Sequence, residues 1–62
     1  MRLLRRIEHY LRRSGTAATR FGRAAARDPR FVFDLRNGRT PREQMATRIT
    51  ACLEDAEREL PR

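Results

Sequence analysis

Four side chains in one short stretch, Arg30, Phe33, Asp34 and Asn37, recur at the i, i+3, i+4, i+7 spacing that gathers residues on one side of a helix. Their chemistry suits the edges of nucleic-acid bases. An arginine fork can donate two hydrogen bonds to guanine, and an asparagine can pair with adenine or with backbone. A carboxylate can accept from cytosine or orient a neighbouring arginine, and an aromatic ring can touch thymine methyls. Plainer uses compete: Asp34 is favoured as the partner of Arg30 in an intrahelical ion pair, and Phe33 serves equally well as a core or dimer residue. Flanking the four are groups that suit phosphate, namely Thr16, Thr19, Arg20, Arg27, Arg39 and Arg42, with Arg23 as a further candidate. The planar guanidinium engages phosphate oxygens bidentately, which fixes orientation without reading sequence.

These arginines belong to a wider excess. All 15 basic residues are arginine, against 8 acidic ones, for a formal net charge of +7. Residues 1–40 hold 11 Arg against Glu8, Asp28 and Asp34, a balance of +8, whereas residues 41–62 hold 4 Arg against 5 acids, a balance of −1. A field so placed attracts polyanions rapidly and with steep salt dependence, nucleic acid first and anionic membrane second. The absence of lysine reflects the codons of a GC-rich genome, and a charged solubilising surface would look the same in composition. Placement along the chain therefore carries the argument.

Other chemistry finds little support. Sixty-two residues make one domain, since a chain of this size buries only about 60% of its unfolded surface, and an enclosed enzyme pocket is not expected. Ser14 has no positioned histidine, no phosphate-cradling glycine loop occurs, and no catalytic residue is assigned. His9 and Cys52 are the only soft ligands where a structural zinc needs four, so neither metal nor cofactor is expected. His9 reads as a surface residue and Cys52 as small packing. A single cysteine cannot form an internal disulfide, which favours a reducing compartment. The longest apolar runs, Ala24–Ala26 and Phe31–Phe33, fall far short of a membrane span of about 20 residues, and early arginines interrupt any signal peptide. The expectation is a cytoplasmic protein, associated with the nucleoid when bound, with no small-molecule ligand.

The elements that must position these side chains read as all-α, a compact bundle of four or five short helices. In the first, over 2–13, Leu3, Leu4, Ile7 and Leu11 form an apolar stripe beside Tyr10, with arginines including Arg2 on the other faces. Ser14-Gly15 ends it. A basic membrane-surface helix is the competing reading of this segment, and a core helix with a solvated face is preferred. Thr16 is expected to cap a second helix over 17–26, where Ala18, Phe21, Gly22 and Ala25 share a face and Gly22 lets another helix approach. Asp28-Pro29 opens a third helix, 29–37, ended by Asn37-Gly38. Thr40 and Glu43 form a capping box for a fourth helix, 41–60, with Met45, Ile49, Cys52, Leu53, Ala56 and Leu60 on one stripe and Pro61 closing it. The acidic residues near its end oppose the helix dipole and predict fraying.

Only Ala26-Arg27-Asp28 separates the second and third helices, so the pair must cross steeply, as in a helix-turn-helix spanning 17–37. Residues 18–37 resemble the core of the phage-repressor and Cro-like (XRE-type) regulators. Phe21 and Gly22 match a large-then-small apolar pair of that family, Ala25, Val32 and Leu35 match further apolar positions, and Asn37-Gly38-Arg39-Thr40-Pro41 is similar to its turn after the recognition helix. The chain departs from the pattern where Ala26 replaces a usual glycine, Arg27 a usual apolar residue and Ala18 a frequent glutamine. The resemblance implies a small bacterial or phage repressor that places helix 29–37 in the major groove of double-stranded DNA. It further implies a homodimer, with helix 41–60 as the dimerisation element and two half-sites roughly 34 Å apart. With no ligand-binding domain expected after residue 62, regulation would come from abundance, dimerisation or another protein. Two other classes stay open: a protein-interaction adaptor of antitoxin or antirepressor type whose contact is the acidic last helix, and a membrane-surface or RNA-binding peptide needing only the first helix.

Overall fold

The core is nine residues drawn from every helix: Ile7, Leu11, Phe21, Ala25, Phe31, Val32, Leu35, Ile49 and Leu53. The computed structural model describes residues 2–60, of Arg2 the backbone alone. Within them the chain is all-α, with helices α1 (Arg2–Ser14), α2 (Ala18–Ala26), α3 (Phe31–Arg36) and α4 (Glu43–Arg58). Among the described residues four helices form, in a body measuring 31 × 20 × 19 Å. The faces expected of Arg2 and the closing role of Pro61 lie outside the described residues.

Helix α1 buries Ile7 and Leu11 and rests Leu3, Leu4 and Tyr10 against the core, and the Tyr10 ring lies 5.7 Å from that of Phe21. Its end follows the expectation: Gly15 takes a left-handed φ of +72° and donates its N–H to the Leu11 carbonyl at 3.0 Å. Helix α4 lays Ile49 and Leu53 into the same core, with Met45 and Cys52 partly buried beside them. Each fully buried aliphatic side chain here stabilises the fold by about 1.5–3 kcal/mol. Helix α2 packs on α3 and α4, and α1 packs on α4 and α3, so the shortest helix, α3, is held from two sides.

The turn between α2 and α3 is built on backbone. Arg27 occupies the left-handed region at φ 56° and donates to the Arg23 carbonyl at 3.1 Å, while the Asp28 N–H reaches the Gly22 carbonyl at 3.1 Å. The turn residue is thus Arg27, one place after Ala26, which stays helical. Gly22 has a different use from the one expected of it. A Cβ there would overlap the Asp28 carbonyl oxygen and meet Pro29 Cα at 3.4 Å, so the glycine admits the returning turn and not a neighbouring helix.

Helix boundaries differ from the expected ones for local reasons. Helix α3 starts two residues late because Asp28 and Pro29 form a turn: Asp28 Oδ1 accepts from the Arg30 N–H at 2.9 Å and its carbonyl from the Phe31 N–H at 3.1 Å. Thr16 does not cap α2. Ala17 is the flanking residue, and the Thr16 hydroxyl and N–H both engage Ser14 Oγ, at 2.8 and 3.1 Å. The capping box of Thr40 and Glu43 does not form either. Pro41 biases Thr40 away from helix, Arg42 is extended at φ −64° and ψ 154°, and α4 begins at Glu43, leaving Thr40 out of reach of its first amides. At the far end α4 stops at Arg58, short of residue 60, and Glu59 and Leu60 make only three-residue turns at 3.2 Å to Ala56 and Glu57.

Two substitutions test the turn. Gly22→Ala is expected to destabilise by about 1–3 kcal/mol despite alanine's better helix propensity, because the added carbon meets backbone that cannot rotate away. Arg27→Gly removes a left-handed penalty of about 1–2 kcal/mol, offset in part by glycine's freedom in the unfolded chain, and should raise the melting temperature. Thermal unfolding by circular dichroism reads both, and a Gly22→Ala protein melting above wild type would overturn the packing argument.

Candidate nucleic-acid interface

In α3 Phe31, Val32 and Leu35 are buried, Asp34 is half-buried, and Phe33 and Arg36 are exposed, as are the flanking Arg30 and Asn37; Phe33, with 42% of its surface open, is the exposed large hydrophobic residue among those described. A helix this short is marginal in water without tertiary packing. Both of its ends are therefore tied. The N-terminal end hangs on the Asp28 turn described above, and the C-terminal end closes in a Schellman motif: the Gly38 N–H reaches the Leu35 carbonyl and the Arg39 N–H the Asp34 carbonyl, each at 3.0 Å, with Gly38 at φ +95°.

Asp34 does not pair with Arg30. Its Oδ2 accepts from the Arg39 guanidinium at 2.9 Å, in register with the backbone bond between the same two residues. The reason is geometric: the Schellman turn folds Arg39 back over the last turn of α3, whereas Arg30 sits outside the helix with its amide engaged by Asp28. One candidate base reader and one candidate phosphate anchor thus hold each other. Arg20, Arg23, Arg27, Arg30 and Arg42 are exposed and form no ion pair with a described residue. Thr19 is exposed, and Thr16 is half-buried against Ser14.

Open clefts flank α3 on two sides. One, of about 460 Å³, has Phe31, Leu35, Pro41 and Met45 along it, with Arg39 and Arg42 at its rim. The other, of about 550 Å³, runs between α1 and the start of α2 and is lined by Glu8, Leu11, Arg12, Thr16 and Arg36. Arginines consequently border the helix on either side.

Residue reading alone missed Arg36. Its guanidinium grips Glu8 of α1 through two bonds, Nε to Oε2 at 3.1 Å and Nη2 to Oε1 at 2.6 Å, and its Cζ lies 5.4 Å from the centre of the Phe33 ring. The partners are 28 residues apart, and no local spacing signals such a pair. Arg6 and Glu57 make a comparable bridge from α1 to α4 at 2.9 Å. The hydrogen bond from Arg36 holds the Glu8 carboxyl below its usual range, with the charges of Arg36 and Arg12 acting in the same direction against a small cost of burial.

Among the described residues no helix is long and apolar enough to cross a membrane, and no group of three metal-ligating side chains gathers. No protein-family model, curated protein or solved structure matches this chain. Its functional reading rests on its own residues.

Because Glu8 is bound in its ionised form, its bridge stabilises the fold above the ordinary carboxylate range and is lost as pH falls through the depressed value. Both side chains are more than a third open to solvent, so the contribution is about 0.2–1 kcal/mol. Glu8→Gln should melt a few degrees below wild type at pH 7 and converge with it in acid, once the pH has fallen below the depressed value. A gap that persists in acid would show that the bridge is not its source.

Proposed function

We propose that this chain binds double-stranded DNA in a sequence-selective manner, with α3 facing the major groove and α2 bracing it. The observation that carries the reading is the exposed side of α3. Phe33 stands on a helix, flanked by Arg30 and Asn37 at its two ends, whose opposite side is buried and which is tied at both ends and bordered by arginines. Arg30 supplies the fork for guanine and Asn37 the amide for adenine. Phe33 offers a ring to thymine methyls. Asp34 acts by orienting Arg39. Backbone phosphates are taken by Arg20, Arg27, Arg39 and Arg42 with Thr16 and Thr19, which position the protein without reading sequence. One helix of six residues reads few base pairs, so a homodimer on two half-sites, acting as a repressor, is the form proposed.

A second reading draws on the cleft beside α3. Its apolar floor of Phe31, Leu35 and Met45 under a rim of Arg39 and Arg42 suits an acidic segment of another protein, as in an interaction adaptor on the same fold. The two readings share Arg42 and part at Arg30, which does not line that cleft.

Selection of bound duplexes from a random pool tests the first. A defined motif is expected, and Arg30→Ala should lose one guanine preference at a cost of about 1–3 kcal/mol. Arg42→Ala should weaken all sequences alike and flatten the log–log salt slope by about 1. Arg39→Ala should flatten it less, because Asp34 already neutralises part of its charge. Recovery of no motif sinks sequence-selective binding.

A further inference from the structure

Arg36 is an arginine beside the proposed reading surface whose charge is already committed. Glu8 receives its Nε and one Nη in a two-bond fork, at 3.1 and 2.6 Å, which pairs the charge of the guanidinium and fixes its plane relative to α1. The group lies over the Phe33 ring, 5.4 Å from Cζ to the ring centre. A cation held over an aromatic face in this way restrains the ring. Phe33 is exposed and lies outside the core cluster.

We infer that Arg36, oriented by Glu8, is a positioning residue that fixes the Phe33 ring and so sets the base preference at the step Phe33 faces, without touching nucleic acid itself. The inference rests on the DNA-binding reading above and adds a residue and a partner helix to it. Glu8 of α1 lies outside the helix-turn-helix, yet it governs what α3 presents, since the chain of contact runs Glu8 to Arg36 to Phe33. A phosphate-binding role for Arg36 would bring Glu8, the acid paired with it, up to a polyanion.

The experiment compares wild type with Arg36→Ala, Glu8→Gln and the charge-swapped double variant Glu8→Arg with Arg36→Glu. Duplex selection, salt titration and thermal unfolding are read for each. Arg36→Ala and Glu8→Gln should relax the apolar-contact preference at one base step by about two- to fivefold, the ratio to which a surface cation–π contact converts. The salt slope should be unchanged, unlike the loss expected for Arg42→Ala. The swapped variant restores the bridge between α1 and α3 but puts a carboxylate over the ring, so it should recover the melting temperature and not the preference. Recovery of both would reduce Arg36 to a structural staple and overturn the inference, as would a preference unchanged in Arg36→Ala or a slope that falls by about 1. A wild-type protein that selects no motif removes the DNA reading itself. The free protein supplies a separate arm without nucleic acid: Glu8→Gln should shift the Phe33 ring resonances in a carbon–proton correlation spectrum, and unmoved resonances would show that the ring is not coupled to the bridge.

Discussion

Everything presented by α3 depends on one contact between backbones, where the Asp28 carbonyl passes over the bare α-carbon of Gly22. No side chain other than hydrogen leaves that space. The contact brings the Asp28 N–H to the Gly22 carbonyl at 3.1 Å and lets Arg27 carry the left-handed residue of the turn. It also sets where Pro29 stands, and through the Asp28-to-Phe31 bond, where α3 begins. A larger residue at 22 would lift the turn from α2 and move Val32 and Leu35, which the core holds at 0% and 4% exposure. The return of the chain from α2 into α3 is thus set by sterics at Gly22.

Charge is organised around that scaffold in two ways. Some arginines fasten helices to each other, as Arg36 does to Glu8 and Arg6 to Glu57, and one fastens a turn, Arg39 to Asp34. Exposed ion pairs of this kind are individually weak, but each spans elements that the small core joins by few side chains. Others, Arg20, Arg23, Arg27, Arg30 and Arg42, are exposed and bridge to no described acid, and these generate the external field. Net charge alone does not separate the two groups. The few acids of residues 1–40 do: Glu8 and Asp34 each neutralise part of an arginine's charge, and the Asp28 carboxylate faces a backbone amide.

Helix count, order and core were legible because they follow from periodicity. Ile7, Phe21, Val32, Ile49 and Leu53 are apolar at helical spacing and are buried, and Gly15 and Gly38 mark stops where positive φ is required. Helix starts were less legible. Thr16 and Thr40 carry capping side chains, but capping depends on which residue takes the extended conformation, and here Ala17 and Arg42 do. The partners of Asp34 and Glu8 were not legible from spacing. Asp34 has an arginine four residues before it and another five after it, and only the Schellman turn decides for the second. Glu8 finds Arg36 across 28 residues because α1 and α3 pack, a fact of tertiary structure.

Six residues cannot hold a helix by their own hydrogen bonds, and this makes the shortness of α3 informative. Its order is borrowed from the Asp28 turn at one end, the Gly38 and Arg39 cap at the other, and the Arg36 fork at its flank. Each restraint acts on a different residue of the exposed side or its neighbour: Arg30 is bound through its amide, Asp34 through Arg39, Phe33 through Arg36. The Asp34 and Phe33 side chains, restrained in this manner, lose little further freedom when they meet a partner, whereas Arg30 is held through its backbone alone. The restraint of two side chains on so small a helix thus comes from its surroundings and not from the helix itself.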